Sequence, residues 1–100
     1  MSRLPYSISD KAIADLEEIW RYTIKKWSVE QADRYYNIIF DKIDYICNNI
    51  DAGKSMSHIR QNYRAEKVKS HIIFYRVVND TIEIIRILHE RMDIENRLND

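Results

Sequence analysis

One hundred residues suit one small domain with a single core, and 45% hydrophobic with 32% charged residues is an ordinary globular balance. Equal numbers of acidic and basic side chains argue against a protein that holds nucleic acid by net charge alone. No apolar run approaches the roughly 20 residues of a membrane span, and MSRLPYS lacks the apolar core of a signal peptide.

Leu4 to Ile8 reads as a short strand, with Pro5 near its start where a missing N–H matters least. Ser9 is a good helix N-cap and Asp10 suits the positive end of a helix dipole, so a first helix is predicted from about Asp10 to about Trp27. Ala12, Leu16, Ile19, Thr23 and Trp27 recur at helical spacing and form its expected buried stripe. Ser28-Val29-Glu30-Gln31 is a capping box that restarts the chain as a second helix almost at once, which makes the two helices antiparallel neighbours. Ala32, Tyr36, Ile39, Ile43, Ile46 and Ile50 give that helix a seam of coiled-coil spacing, to be packed on the first helix rather than on a second copy. Cys47 lies beside this seam and reads as a packing residue; one cysteine allows no intramolecular disulfide and fits a reducing cytoplasm.

Gly53 is the expected C-terminal cap of the second helix, and Lys54 to Asn62 is polar and irregular. Tyr63 to Val68 reads as a strand, with a turn at Lys69-Ser70. Between Lys54 and Lys69 the bases Lys54, Arg60, Arg64, Lys67 and Lys69 face the single acid Glu66. This stretch fits either an anion-facing edge or an edge strand guarded by lysines against aggregation.

The most β-prone segment is Ser70 to Asp93, two apolar runs around Asn79-Asp80, a pair that tolerates the left-handed conformations of a tight hairpin turn. A two-residue turn sets Val77 opposite Ile82, Arg76 opposite Glu83, Tyr75 opposite Ile84, Phe74 opposite Ile85, Ile73 opposite Arg86 and Ile72 opposite Ile87. Both faces are apolar, which places the hairpin at the centre of a sheet. The tail from Ile94 to Asp100 is expected to form one helical turn or to fray. The chain is therefore an α+β domain: N-terminal strand, antiparallel helical hairpin, then a C-terminal antiparallel β-meander.

No Gly-rich phosphate loop, paired-Cys metal site or Ser/His/Asp pattern occurs, and His58, His71 and His89 lack metal-ligand spacing. Neither a metal nor a cofactor is expected.

Several local sequences, in this order, resemble the ParE toxins of the RelE/ParE superfamily. They are Ala14-Asp15-Leu16-Glu17-Glu18-Ile19-Trp20, Tyr22-Thr23, Trp27-Ser28-Val29-Glu30-Gln31-Ala32, Gly53-Lys54-Ser55, Tyr63-Arg64, Ser70 to Arg76, and Arg86 to Asp93. The resemblance covers nearly the whole chain. It implies the toxin of a type II toxin–antitoxin operon, of the kind linked to plasmid stabilisation, neutralised by a ParD-like antitoxin. Characterised ParE proteins poison DNA gyrase, whereas RelE-like relatives cleave mRNA on the ribosome. RelE-like nucleases carry an arginine at the position matched here by Ile72, which cannot stabilise a charged phosphate, so a non-enzymatic gyrase poison is expected and no catalytic residue is assigned. Were the chain a nuclease, His89, Arg91 and Arg64 would be its catalytic set; a homodimeric interaction module is the third reading.

From these readings follow three expectations about faces and sites. The helices should cover Ile73, Tyr75, Val77, Ile82, Ile84 and Leu88, with Arg86 drawn partly beneath them and needing Asp15 or Glu18 as partner. Ile72, Phe74, Ile85 and Ile87 should remain as an exposed apolar patch for the antitoxin. Arg91, Met92 and Asp93, seconded by Arg60 and Arg64, should contact the target.

Overall fold

The computed structural model describes residues 3–99; Asp100, the last residue of the expected tail, lies outside them. The elements are β1 (Tyr6–Ile8), α1 (Asp10–Lys26), α2 (Val29–Asn48), β2 (Lys54–Ser55), β3 (Arg64–Val68), β4 (His71–Val78), β5 (Thr81–His89) and α3 (Ile94–Leu98). The five strands form one sheet in the order β1-β5-β4-β3-β2, antiparallel except for β1, which runs parallel to β5. The element order and hairpin turn follow the sequence reading. Asn79 and Asp80 both have positive φ, 51° and 58°, as the tight turn requires.

The two long helices begin on the predicted caps. The Ser9 hydroxyl accepts from the Ala12 N–H at 3.0 Å and the Ser28 hydroxyl from the Gln31 N–H at 3.1 Å. Ala12, Leu16, Ile19 and Thr23 of α1 and Ala32, Ile39, Ile43, Ile46 and Cys47 of α2 are buried, against Ile73, Tyr75, Ile82, Ile84 and Ile87 of the sheet. Trp27 departs from expectation: as the C-cap of α1 it lies beyond the last helical turn and is 69% exposed.

The hairpin register holds from Val78↔Thr81 to Tyr75↔Ile84 and then slips by one residue. Phe74 lies opposite Arg86, Ile73 opposite Ile87 and Ile72 opposite Leu88, so β5 carries one extra residue at Ile85. Past the bulge the faces of β5 exchange. Ile87 replaces Leu88 beneath the helices, and Leu88 joins the other face. Val77, also expected beneath the helices, is exposed near the hairpin turn. The bulge begins where β1 stops pairing, at Ile84. From there α1 covers the edge of β5 with side chains: Ser9 Oγ donates to the Ile85 carbonyl at 2.7 Å, and the Asp15 carboxylate accepts the Ile87 N–H at 3.0 Å. Arg86, 8% exposed, grips both Asp15 oxygens at 2.8 Å and donates to the Arg97 carbonyl of α3 at 3.2 Å.

The second face is not left open. Phe74 and Leu88 are buried with Tyr63 and Leu98, and Met56, Ile59, Ile72, Ile85 and Ile94 pack around them. The tail forms α3, and its Leu98 side chain closes this smaller core. The expectation of an exposed patch is corrected at two of its four residues: Phe74 is buried here and Ile87 is buried on the helix side. Five helical residues and one loop close this part of the face, with Leu98, Ile94, Met56 and Ile59 packed on Phe74 and Leu88.

Gly53 is not the helix cap; Asn49 holds that position. The Gly53 N–H donates to the Tyr75 hydroxyl at 3.1 Å, and a Cβ at Gly53 would lie 2.5 Å from that oxygen. A side chain at residue 53 would therefore push Tyr75 out of the core, and glycine is kept for close approach. Lys54–Ser55, expected to be irregular, forms β2 as a consequence.

Asp15→Ala removes the carboxylate that neutralises the buried Arg86 guanidinium and accepts the Ile87 N–H. It is expected to lower unfolding free energy by about 3 kcal/mol or more in urea denaturation. Gly53→Ala is expected to cost about 1–3 kcal/mol by overpacking against Tyr75.

Candidate functional site

Two regions carry part of the sequence-predicted set. The first is the end of the sheet where β5 turns into α3. The bulge puts His89 opposite His71, on the helix side rather than on the face of Ile72 and Phe74, with ring centroids 5.2 Å apart and edge to face. Tyr35 of α2 meets them: its hydroxyl lies 2.6 Å from His71 Nδ1. Neither Tyr35 nor His71 was singled out by sequence reasoning, because they lie on separate elements and only the bulged register aligns the two histidines. Burial lowers the His71 pKa to about 4, helped by the neighbouring His89, while Asp15 and Glu90 pull weakly the other way.

After His89 the backbone is fixed by local bonds. The Arg91 N–H donates to His89 Nδ1 at 3.1 Å and the Met92 N–H to the His89 carbonyl at 3.0 Å. Glu90 is tied to the β3–β4 turn through Ser70 and pairs with Lys67 at 3.1 Å, which holds its carboxyl below the ordinary carboxylate range. Asp93 caps α3, accepting from Asn96, so its carboxylate is already engaged. Arg91 and Met92 thus project outward from a braced turn, both exposed.

Arg64 lies elsewhere. It pairs across the sheet with Tyr75, while Val68 and His71 mark the end near His89, four residues further along β3. At about 3.3 Å per residue that is roughly 13 Å. Its guanidinium donates to the Asp51 carbonyl at 3.0 Å and sits beside the Tyr75 hydroxyl, tying β3 to the loop after α2. The set His89, Arg91 and Arg64 is therefore not brought together. Arg60 sits on the loop before β3, 6.0 Å above the Tyr63 ring.

The second region is a groove of about 490 Å³ on the α3 face, lined by Met56, Ile59, Ala65, Ile72, Phe74 and Ile94, with Lys54, Glu66 and Lys67 at its rim. It runs beside the outer edge of β3. β2 pairs only with Arg64 and Ala65, so Glu66 to Val68 have no outer strand among the described residues. An open strand edge beside an apolar groove is the geometry used to add a strand from another polypeptide and to seat its side chains. Two of the expected patch residues line this groove, Ile72 and Phe74, whereas Ile85 packs in the small core around Leu98.

A helical hairpin laid on a meander of this order, with an apolar groove along an open edge, is the α+β fold of ParE toxins. The chain belongs to the ParE toxin family of the parDE type II toxin–antitoxin system, which it matches over residues 6–94. It is 40% identical over 94 residues to Toxin ParE1 of Mycobacterium tuberculosis, covering 93% of this chain and 96% of that one. It is 38% identical over 94 residues to Toxin ParE1 of Caulobacter vibrioides, covering 94% and 97%. Toxin ParE of Escherichia coli is 31% identical over 96 residues, covering 95% and 93%. Among solved structures, a chain of the chromosomal ParDE toxin–antitoxin system from P. aeruginosa shares the fold, with a TM-score of 0.75 at 22% identity over 87% of this chain and 96% of that one. Among the described residues no helix is long and apolar enough to cross a membrane.

The depressed His71 pKa has a definite consequence for stability. Between about 4 and the ordinary 6.5 the unfolded chain binds a proton there that the folded chain refuses. This contribution is present in full above that window and is lost as pH falls through it. His71→Gln is expected to flatten the acid limb of stability against pH, read by urea denaturation from pH 7 to pH 4.

Proposed function

We propose that this ParE-family chain arrests growth by poisoning DNA gyrase, without catalytic residues of its own, and that a ParD-like antitoxin neutralises it in the cytoplasm. The observation that supports the first part most is the braced, outward-facing Arg91-Met92 step, held by the Arg91 N–H bond to His89 Nδ1 and the Met92 N–H bond to the His89 carbonyl, and not needed to fill either core. A surface cation and a thioether on a rigid turn suit contact with a large protein target. Asp93 acts there as the cap that orients the turn. Arg60 is exposed on its loop and remains a secondary contact, while Arg64 serves the fold.

Chemistry weighs against nuclease action at the same place. RNA cleavage through the 2′-hydroxyl needs a base with a pKa near ambient pH, and a His71 with a pKa of about 4 takes up that proton poorly at pH 7. A cation must also reach the scissile phosphate, and the arginine of the expected set lies about 13 Å along the strand from His89.

The antitoxin reading rests on the groove and the open β3 edge. An extended segment pairing with Glu66 to Val68 would place alternate apolar side chains over Ile72 and the Met56–Ile59 loop.

Purified chain is expected to inhibit gyrase supercoiling and to trap cleaved DNA, while leaving ribosome-bound mRNA intact. Arg91→Ala and Met92→Ala should each weaken gyrase inhibition about tenfold, a loss of about 1.4 kcal/mol. Cleaved mRNA with unaffected gyrase overturns the reading. In size-exclusion chromatography with light scattering, the product of the neighbouring operon gene should form a stable complex with the chain, and Ile72→Asp should reduce its affinity about tenfold or more at unchanged helical content. A homodimer indifferent to that product excludes this partner.

A further inference from the structure

The end of the sheet beside α3 brings two imidazoles together. His71 opens β4 and His89 closes β5, and the bulge in β5 makes them direct cross-strand partners on one face. Their ring centroids are 5.2 Å apart and the ring planes stand at 82°. Two imidazoles that hold one tetrahedral ion through nitrogens at about 2.0–2.1 Å have centroids about 5 Å apart. The spacing is therefore that of a chelating pair. Both side chains are only partly buried, so an ion reaches them from solvent. His71 is oriented as a ligand needs. With Nδ1 donating to the Tyr35 hydroxyl oxygen 2.6 Å away, Nε2 keeps its lone pair and the ring is fixed by an outer hydrogen bond. The carboxylates of Asp15 and Glu90 lie near enough to act on the charge of His71, and Glu90 feels His89 as well. Asp15 is held by Arg86 and Glu90 by Lys67, so both offset charge from outside the coordination shell. No group of three His, Cys, Asp or Glu side chains converges among the described residues, so the ion's remaining positions go to water.

We propose that His71 and His89 form a two-imidazole site for a divalent ion of the zinc or nickel type, and that filling it unfastens the turn that follows β5. Late transition ions favour neutral imidazole, whereas magnesium and calcium seek oxygen ligands. The coupling to the turn follows from counting protons. A neutral imidazole has one N–H and one nitrogen lone pair. The lone pair of His89 is in use, because Nδ1 accepts the Arg91 N–H at 3.1 Å. A metal bound at Nδ1 displaces that N–H. A metal bound at Nε2 sends the ring proton to Nδ1, which then no longer accepts. On either route the bond to Arg91 is lost, while the Met92 N–H keeps the His89 carbonyl. The turn thus loosens at Arg91 without unfolding. The sequence reading expects no metal because the histidines lack ligand spacing along the chain; the strand register supplies the chelate instead. The inference holds whatever Arg91 and Met92 contact.

The test is a titration of the untagged full chain with Zn²⁺ near neutral pH, with Mg²⁺ as control. It is followed by calorimetry and by amide and imidazole NMR of the labelled chain. Zn²⁺ is expected to bind as one ion per chain, to shift the ring nitrogens of His71 and His89, and to speed amide exchange at Arg91 more than at Met92. Mg²⁺ should do none of this. His71→Gln and His89→Gln should each weaken Zn²⁺ binding about tenfold or more, whereas His58→Gln, on the exposed loop before β3, should leave it unchanged. The ring shifts are read on the parent chain, so a variant that fails to fold does not remove the test. The proposal is overturned by no saturable Zn²⁺ binding, by ring shifts centred on His58, by full affinity in His89→Gln, by unchanged exchange at Arg91, or by light scattering that shows the ion bridging two chains.

Discussion

The Asp15 carboxylate joins three parts of the molecule. It accepts the Ile87 N–H, binds Arg86 through both oxygens, and through Arg86 reaches the Arg97 carbonyl of the last helix. A charged pair this deeply buried is costly to form and more costly to break. Here the cost is offset because each partner also satisfies backbone groups that would otherwise be orphaned at a strand edge. β1 is three residues long and cannot pair with all of β5, so the helix that follows it completes the edge with side chains. The bulge, the exchange of faces beyond it and the placement of α3 depend on that substitution.

The regular elements were legible in the sequence because their signals are local. Ser9 and Ser28 mark helix starts through bonds spanning three residues, and Asn79-Asp80 announces a turn through its own backbone preference. The pairing of Arg86 with Asp15 was also readable, from the need of a half-buried cation for a carboxylate. The bulge was not, because it arises where a strand from the other end of the chain stops. One inserted residue was enough to misplace Arg86, Ile87 and Leu88, with Arg86 opposite Phe74 rather than Ile73, and with them the expected apolar patch. The same slip hid the meeting of Tyr35, His71 and His89, which no spacing in the sequence encodes. Gly53 was misread for a different reason: its role is set by the Tyr75 hydroxyl, twenty-two residues away.

The two faces of the sheet show how a short chain divides its apolar residues. The large core uses two amphipathic helices and most of the isoleucines. The smaller one is closed by Tyr63, a loop and a five-residue helix that could not persist alone. Because α3 depends on contacts more than on its own helicity, the second face combines a filled part, under Leu98, with a groove beside β3 that is still available.

The bond from Arg86 to the Arg97 carbonyl also bears on how such a protein is disarmed. It anchors the carboxy-terminal helix to the centre of the molecule, so shortening the chain removes a core side chain and a ligand of the buried cation together. Deletions at this end therefore report on the integrity of the whole body, whereas single replacements on the intervening turn alter only its outer surface.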